Sequence, residues 1–452
     1  DAVFNITNDL IITGSGTIAT FINSTGNTAT SELNVGRDIV ITDGDIRFAN
    51  TNAPTEINIG RNLILTGSTS DFYGQYNSNS TKSVDFNVTG NIEINSGDFY
   101  GSVGQGTTTI DIVENLDLNA GRFYGINNTT AANNAAVTFA CNNIDFDGGT
   151  FHLFSGRISD GKTISATING DIDINFLSAT DVVTFIGLTG TNNPILDLNI
   201  SGNMSVSGNF PGSYFMSSSS TGAETVDIGG NLIVSAGDVY FVGQESGLTT
   251  SHDITTNING NIVISGGNTR LATGTGTADI DVDGSISISN GTLSLKYETG
   301  AATLDVLGSY TQSGGTFNMH SRNATTANTN TMNVFGNFLM SNGTFRFDNF
   351  ASGAGLAEHN LFLYGTSFTL DGNASITHAN DLTTNYIFGQ IYFAYPGTTD
   401  YLRYSNTNSI NHVRYTVQPS TTLNASNSTY PLQITSVDNS TPANHFALTV
   451  NG

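Results

Sequence analysis

Apolar and polar residues alternate in short stretches along most of the chain. In the segment 86–94, apolar residues stand at every second position on either side of a Gly90-Asn91 pair, and Gly97 follows shortly after. Side chains of a β-strand point alternately to its two faces, so this pattern predicts strands with one buried face. Glycine and asparagine favour turns. The segment is therefore predicted to consist of short strands joined by tight corners.

The same arrangement returns many times. The segments 228–240 and 334–347 repeat the alternating strand, the Gly-Asn corner, the second strand, the glycine corner and a third strand. Successive corners are about 23 to 32 residues apart, with a mean near 27, which is a spacing typical of solenoid coils. We therefore expect about fifteen coils. The polar corner position is occupied by Asp9, Asp38, Asn62, Asn91, Asn115, Asn143, Asp171, Asn203, Asn231, Asn261, Ser285, Ser309 and Asn337, and we expect it to continue at Ser367 and Gln390.

Three short strands per coil predict an all-β fold, a parallel β-solenoid (β-helix) in which each coil is one triangular turn. A single coil cannot be stable alone, because ordering each residue costs about 1–2 kcal/mol of backbone entropy. Stacked coils pair their backbone groups with the coils above and below. We expect residues 1–395 to form this solenoid. Beyond Pro396 the pattern decays, and residues 396–452 are expected to form degenerate terminal coils or a cap, one alternative being that further chain continues the repeat.

The corner asparagines suggest a ladder of hydrogen bonds. An amide carries both a donor and an acceptor, so side chains stacked at coil spacing can bond to one another along the solenoid axis. The alternative is that these residues adopt left-handed corner dihedrals and face water. Both interpretations are structural rather than catalytic. The asparagines assigned to the ladder are Asn62, Asn91, Asn115, Asn143, Asn203, Asn231, Asn261 and Asn337.

Glycine marks the second corner of most coils. A corner that requires positive φ, or one where successive coils pack closely, explains this preference. The coil after Asp171 lacks the glycine, and the segment 209–220, which contains Pro211 and a run of serines, is expected to be a protruding loop. The corner glycines are Gly44, Gly67, Gly97, Gly121, Gly149, Gly237, Gly267, Gly291, Gly315, Gly343 and Gly372.

Composition excludes several classes of protein. The chain has 13 Lys and Arg against 37 Asp and Glu, which gives a formal net charge of −24. Binding to nucleic acid requires clustered cations, and the sequence has no such cluster, so no nucleic-acid partner is expected. No apolar run approaches the roughly 18 residues of a membrane span, so no membrane insertion is expected. The single Cys141 excludes an internal disulfide and a thiolate metal cage.

Two aspartates are the strongest candidates for chemistry. Asp71 and Asp98 occupy the same outward position after the glycine corner of neighbouring coils. Paired carboxylates can act as acid and base on glycosides, or hold Ca²⁺ at the surface; solvated surface aspartates are the alternative. The seven histidines lie far apart in the sequence, with no pair at metal-ligand spacing. We therefore expect each to be a surface or linker residue, and we predict no metal centre and no cofactor apart from such surface Ca²⁺.

Three tyrosines are candidates for binding. The pattern Asp71-Phe72-Tyr73-Gly74 recurs around Tyr100 and Tyr124, so the three rings are expected to form an outward stack. Exposed tyrosine rows beside carboxylates suit sugars or a protein partner. The alternative is cross-strand packing beneath a linker loop.

The corners also carry a resemblance. The Gly-Asn pairs and the Ser-Gly-Gly-Thr-Phe segment 313–317 resemble the repeats of very large secreted bacterial surface proteins, among them filamentous adhesins and the cell-surface filaments of gliding or prey-catching bacteria. The resemblance covers about residues 1–395 and is one of composition and architecture. It implies an extracellular location at the bacterial cell surface, a role as a stiff stalk or adhesive fibre, and a longer polypeptide of which this chain is one segment.

These observations together predict a structural protein and not an enzyme. We expect a rigid β-solenoid rod that serves as adhesin, stalk or filament subunit and self-associates into a homo-oligomer or filament, with a glycan or a cell-surface receptor as a further partner. The alternative is a polysaccharide-binding or polysaccharide-degrading β-helix protein. Its site would consist of Asp71, Asp98, Tyr73, Tyr100 and Tyr124.

Overall fold

The computed structural model describes residues 2–22, 29–50, 52–133, 136–158, 161–188, 194–208, 211–217, 223–241, 253–321, 328–349, 359–378, 389–411, 413–430 and 448–450. The chain divides into two compact units, Asp1–Gly229 with Gly243–His252, and Gly230–Val242 with Asp253–Gly452. No helix occurs in the described residues. Within each unit, successive strands visit three sheets in turn, named here sheet 1, sheet 2 and sheet 3, and the strands of each sheet are parallel.

The first unit contains the following described strands. Sheet 1 holds Ala2–Ile6, Ser31–Val35, Thr55–Ile59, Val84–Val88, Thr108–Ile112, Val137–Cys141, Thr163–Ile168, Ile195–Ile200 and Ala223–Ile228. Sheet 2 holds Leu10–Ile12, Ile39–Ile41, Leu63–Leu65, Ile92–Ile94, Asn115–Leu118, Asn143–Phe146, Ile172–Phe176 and Met204–Gly208. Sheet 3 holds Ile18–Ile22, Gly44–Ala49, Ser70–Gln75, Asp98–Ser102, Arg122–Asn133, Thr150–Ile158, Val182–Leu188 and Pro211–Ser217.

The second unit repeats the arrangement. Sheet 1 holds Asp253–Ile258, Ala278–Val282, Ala302–Val306, Thr331–Val334, Asn360–Leu363, Gly389–Phe393, Val413–Val417 and Leu448–Val450. Sheet 2 holds Leu232–Val234, Ile262–Ile264, Ile286–Ile288, Tyr310–Gln312, Phe338–Met340, Ser367–Leu370, Thr398–Arg403 and Thr422–Asn424. Sheet 3 holds Asp238–Tyr240, Asn268–Ala272, Thr292–Lys296, Thr316–His320, Thr344–Arg346, Ser375–Thr377 and Ser409–Asn411.

The predicted fold class is confirmed. The protein is an all-β parallel β-solenoid with three strands per coil. Over the two units, fifteen described strands occupy the sheet 3 position, which equals the predicted number of coils. The fold follows from the alternation in the sequence, because most strands of sheets 1 and 2 bury every second side chain and leave the intervening one facing outward.

The coils stack in register. Phe86 of sheet 1 pairs with Ile57 in the preceding coil and with Ile110 in the following one. These three side chains are fully buried, and burying each large apolar side chain contributes about 1.5–3 kcal/mol. Register is fixed because a slip by one residue would turn every apolar side chain outward.

An aromatic column of sheet 3 is part of this core. Phe72, Phe99, Phe123 and Phe151 stack with centroid separations of 5.8, 4.9 and 5.3 Å and interplanar angles of 9°, 12° and 8°. The parallel in-register strands impose this offset-stacked geometry, which is favourable for aromatic pairs. All four rings are buried, so the column is structural.

The glycine corner meets both of the predicted requirements. Gly121 has φ of +81°, and a Cβ at this position would overlap the carbonyl oxygen of Gly97, one coil earlier. Only glycine tolerates both constraints without strain. Positive φ also occurs at the predicted corner glycines Gly44, Gly97, Gly149, Gly237, Gly267, Gly291, Gly315, Gly343 and Gly372, whereas Gly67 does not share it.

Two local predictions were wrong. Residues 211–217, predicted to lie in a protruding loop, form a strand of sheet 3 that pairs with Val182–Leu188. Gln390, predicted to continue the polar corner column, lies in sheet 1 and pairs with Asn360 and Arg414. The coil without a corner glycine uses a carboxylate instead: Asp181 accepts hydrogen bonds from the backbone N–H groups of Leu177, Ser178 and Gly149.

Strands continue beyond Pro396. Thr398–Arg403 pairs with Ser367–Leu370, and Val413–Val417 pairs with Gly389–Phe393, both in parallel. The division into a solenoid over 1–395 and a distinct terminal segment over 396–452 stays a prediction. Residues 431–447 lie outside the described part of the chain.

Candidate functional site

The three predicted tyrosines lie on adjacent strands of sheet 3. The register pairs Tyr73 with Tyr100 and Tyr100 with Tyr124. Their rings stack with centroid separations of 4.5 and 5.2 Å and interplanar angles of 1° and 6°. The imidazole of His152 continues the row at 5.4 Å from the ring of Tyr124. The structure therefore brings the predicted residues together in one row.

The aspartates hold this row in place. Tyr73 donates a hydrogen bond from its hydroxyl to Asp71 at 3.2 Å, and Tyr100 donates to Asp98 at 3.1 Å. Arg122, one coil later, donates to both carboxylate oxygens of Asp98, its Nε lying 2.8 Å from Oδ1. Asp98 is 7% exposed and Tyr100 is 8% exposed, so the middle of the row presents little surface to a ligand.

Burial dominates the electrostatics of the row. It raises the pKa of the phenols of Tyr73 and Tyr100 well above the usual range, and the adjacent aspartates add to the shift. Burial also raises the pKa of Asp71, with the charges of Asp98 and Asp45 as further causes. The carboxylate of Asp98 is already bound by Arg122. Of the two aspartates, Asp71 is therefore the one with fewer fixed partners, and ligand binding by this row stays a prediction.

The corner residues form a ladder between side chain and backbone. The side-chain oxygen of Asn62 accepts a hydrogen bond from the backbone N–H of Asn91 at 2.9 Å, and the oxygen of Asn91 accepts from the N–H of Asn115 at 3.0 Å. Asn143 instead donates its amide to the oxygen of Asn115 at 2.9 Å. The same side-chain-to-backbone bond joins Asp38 to Asn62, Asn143 to Asp171, Asp171 to Asn203, Asn231 to Asn261, Asn261 to Ser285, Ser285 to Ser309, Ser309 to Asn337 and Asn337 to Ser367.

This geometry explains the residues found in the corner column. The principal requirement is an oxygen acceptor on a short side chain, which asparagine, aspartate and serine all provide. The corner asparagines are half-buried or exposed, so the ladder works at the boundary with solvent. An amide ladder would have required asparagine at every corner.

A ladder of amides does occur, on the outer face of sheet 1, where the sequence analysis did not place one. Asn34 donates to Asn5 at 2.8 Å, Asn58 to Asn34 at 2.9 Å, and Asn87 to Asn58 at 2.8 Å. These four side chains line a groove of about 370 Å³. The amides of Asn34 and Asn58 also donate to Glu32 and Glu56, so their donors are used within the protein. The Asn repeated at the fourth position of these strands is the sequence pattern that could have predicted this ladder.

A row of carboxylates crosses sheet 2 and was also missed. Glu93, Asp117, Asp145 and Asp173 are paired in register on the outward face of successive strands. Burial, followed by the charges of Glu93 and Asp145, raises the pKa of Asp117 to about 6. Each of these residues stands in the second strand of its coil, between two apolar residues, which is the pattern that would have revealed the row.

Three histidines were assigned wrongly. His320, His359 and His378 were expected at the surface or in linkers, but they are buried, at 3%, 0% and 2% exposure. His320 and His359 lie next to the buried carboxylate of Asp348. Lys296, His320 and Asp348 each stand five residues after a corner glycine, so the repeat itself contained the signal. Predicted residues His252 and His412 lie outside the described part of the chain, as does His445.

Comparison with known proteins identifies no relative. No family model matches the chain, no curated protein matches it, and no solved structure matches it. Among the described residues, no helix is long and apolar enough to span a bilayer.

Proposed function

We propose that this chain is a structural segment of an extracellular protein of the bacterial cell surface, which acts as adhesin, stalk or filament subunit and performs no catalysis. The observation that carries the proposal is the in-register stacking of the described coils within each unit, reinforced at most described corners by a hydrogen bond along the stack. Stacking of this kind gives stiffness, because bending would have to break backbone hydrogen bonds in all three sheets at once.

The described surface also favours a structural role. Asp98, one of the two aspartates predicted to form a site, is bound by Arg122. The amides along the sheet 1 groove are bound to one another and to glutamates. Polar side chains whose hydrogen bonds are satisfied within the protein have little to offer a substrate. Their contribution is to the stability and regularity of the stack.

Electron microscopy of the native material, with its own termini intact, tests the proposal. We expect fibres or stalks at the cell surface whose thickness matches one solenoid. Sedimentation of the purified chain over a range of concentrations should show self-association. A monodisperse monomer at high concentration, combined with an absence of fibres on cells, would contradict the proposal.

Carbohydrate binding is the second candidate function, and the tyrosine row favours it. Tyr73 and Tyr124 are half-buried and lie on the same outward face of sheet 3, and the coil that carries Tyr100 lies between them. The stacked rings cover one another's faces, so a sugar would contact the exposed ring edges along the row. A glycan array with wild-type protein is the test, followed by the variants Tyr73→Ala and Tyr124→Ala.

A matched control exists for this test. Tyr364, in the second unit, is also half-buried and stacks on Phe335, with 4.8 Å between centroids. Loss of glycan binding in Tyr73→Ala or Tyr124→Ala, but not in Tyr364→Ala, would support the second function. Absence of binding by the wild-type protein would exclude it.

A further inference from the structure

Three ionisable side chains from different coils of the second unit converge in the core. His320 ends a strand of sheet 3, Asp348 follows the sheet 3 strand of the next coil, and His359 precedes the sheet 1 strand after that. One potential ligand atom from each lies within 4.8 Å of the other two. The cluster joins successive coils, and Lys296, Asn330 and His378 are further buried polar residues beside it.

The separations approach those of a metal centre. Asp348 Oδ2 lies 3.5 Å from His320 Nδ1 and 3.7 Å from His359 Nε2. Tetrahedral ligands about 2.0–2.1 Å from Zn²⁺ stand roughly 3.3–3.5 Å apart. A shift of a few tenths of an ångström would therefore bring each imidazole to the right separation from the carboxylate, and the ligand atoms of the two imidazoles lie within 4.8 Å of each other.

The buried imidazoles leave hydrogen-bonding capacity unused. Among the residues that the structure describes, neither ring nitrogen of His320 has a hydrogen-bond partner, and neither has Nε2 of His359, although both residues are almost completely buried. Buried polar atoms without partners are rare in native proteins, and an ion bound between them is one of the usual reasons. A divalent cation would also balance the charge of the buried Asp348 carboxylate.

We propose that His320, Asp348 and His359 bind a divalent transition-metal ion, with Zn²⁺ as the best fit, which links successive coils as a structural staple. Two imidazoles and one carboxylate form a ligand set that suits Zn²⁺, Co²⁺ or Ni²⁺ and does not suit Ca²⁺ or Mg²⁺, which prefer oxygen ligands. The fourth position would be taken by water or by a neighbouring group.

Metal binding has to change one existing hydrogen bond. Nδ1 of His359 accepts a hydrogen bond from the backbone N–H of Asn330 at 3.0 Å, which places the ring proton on Nε2. Coordination through Nε2 moves the remaining proton to Nδ1, so the bond to Asn330 must break or the ring must lose a second proton. The backbone amide of Asn330 is therefore a reporter of metal binding.

The neighbouring cation belongs to the same column. Lys296 pairs with His320 in the preceding coil, and its Nζ donates to the carbonyl oxygen of Gly276 at 2.8 Å. Burial lowers the pKa of this lysine to about 8, with the charges of Asp253 and Glu298 opposing the shift. The buried polar column therefore extends into the coil before His320.

The test uses the full chain stripped with a chelator. We expect it to bind one equivalent of Zn²⁺ by calorimetry and elemental analysis, with a higher Tm in Zn²⁺ and no change in Tm in equal Ca²⁺. The variants Asp348→Asn and His320→Gln should bind Zn²⁺ more than about 100-fold more weakly, since even loss of an outer-shell partner typically costs 10–100-fold. His152→Gln, a half-buried histidine of the first unit, is the matched control and should bind normally.

Measurements on the wild-type chain keep the test decisive if the buried variants fail to fold. Bound Co²⁺ should give the visible absorption of a four-coordinate site, X-ray absorption of the Zn²⁺ form should show N/O ligands at about 2.0–2.1 Å, and the amide resonance of Asn330 should shift. Folded wild-type protein that binds no Zn²⁺ would overturn the proposal. So would binding that leaves the Asn330 amide unchanged, or binding that persists undiminished in folded Asp348→Asn and His320→Gln.

Discussion

Arg122 binds both carboxylate oxygens of Asp98, the residue that precedes it by one coil on the same face of sheet 3. The guanidinium is half exposed, whereas the aspartate is buried. The bond to Asp98 raises the pKa of Arg122 above its already high ordinary value. The pair thus ties two coils together beneath the edge of the tyrosine row.

Removing the arginine should destabilise the protein. Arg122→Gln leaves the Asp98 carboxylate buried, with the Tyr100 hydroxyl as its remaining described partner in the row. We expect a loss of about 1–2 kcal/mol in the free energy of unfolding by urea denaturation. Arg61→Gln is the control, because the half-exposed Arg61 lies 3.6 Å from Asp38, which is too far for a hydrogen bond, and its loss should cost less than about 0.5 kcal/mol. Equal losses in the two variants would contradict this account.

The corner ladder predicts which substitutions Asn91 tolerates. Its oxygen accepts from the backbone N–H of Asn115, so Asn91→Ala should cost about 0.5–1.5 kcal/mol in the free energy of unfolding. Asn91→Ser and Asn91→Asp keep an oxygen acceptor and should retain most of the stability. If both were as destabilising as Asn91→Ala, the amide NH₂ group and not the oxygen would be the essential part.

The glycine corner predicts a contrast between two alanine substitutions. Gly121 and Gly161 both have positive φ, but a Cβ at Gly121 would overlap the backbone of Gly97, whereas a Cβ at Gly161 would meet no atom within 4 Å. Gly161→Ala should cost about 1–2 kcal/mol from the backbone conformation alone. Gly121→Ala should cost a further 1–3 kcal/mol or so from overpacking. Thermal unfolding of both variants measures the difference, and similar Tm values would show that the corner can widen.

His152 should make the protein sensitive to acid. Burial lowers the pKa of this imidazole to about 4. Between pH 6.5 and 4 the unfolded chain binds a proton on this imidazole that the folded chain does not bind. The contribution of His152 to the free energy of unfolding is therefore complete above pH 6.5, and up to about 3 kcal/mol of it is lost as the pH falls through this window. His152→Phe keeps a ring against Tyr124, and its free energy of unfolding should fall less between pH 7 and pH 5 than that of the wild-type protein. An unchanged pH dependence would contradict the prediction.

Asp117 should have the opposite pH dependence. Its pKa is raised to about 6, so between pH 3.8 and 6 the folded chain holds a proton that the unfolded chain has released. The resulting stabilisation is complete below pH 3.8 and is lost as the pH rises to 6. Asp117→Asn should therefore be more stable than wild type by about 1–2 kcal/mol at pH 7, after allowance for solvent screening, and equal to it near pH 3.5. Asp85→Asn, exposed on sheet 1, controls for the loss of one negative charge.

The coil could be predicted from the sequence because its determinants are local. Alternation defines the buried face, and the corner glycines and corner Asn, Asp or Ser define the turns, as the segment around Gly90 and Asn91 shows. The direction of the ladder bond could not be predicted from Asn91 alone, because an amide offers both a donor and an acceptor. The presence of aspartate and serine in the same column was the clue that the oxygen matters.

The convergence of His320 and His359 on Asp348 depends on how a linker brings the chain back to the stack, which the local repeat does not determine. His320 and Asp348 share one distance from their corner glycines, so the repeat could have aligned them. His359 reaches the same place from the start of a sheet 1 strand, at the end of a linker whose length varies between coils. Pro211–Ser217 was misassigned for a related reason: its composition is that of a loop, whereas pairing with Val182–Leu188 makes it a strand.

The side-chain-to-backbone ladder has a polarity. At nearly every corner the earlier coil supplies the acceptor and the later coil supplies the N–H, as between Asn62 and Asn91. During synthesis, a chain that emerges from its amino end would have each acceptor in place before the matching donor is made. Each finished layer is then a template for the next, and the solenoid can be built vectorially, one turn at a time, from the first coil of a unit onward.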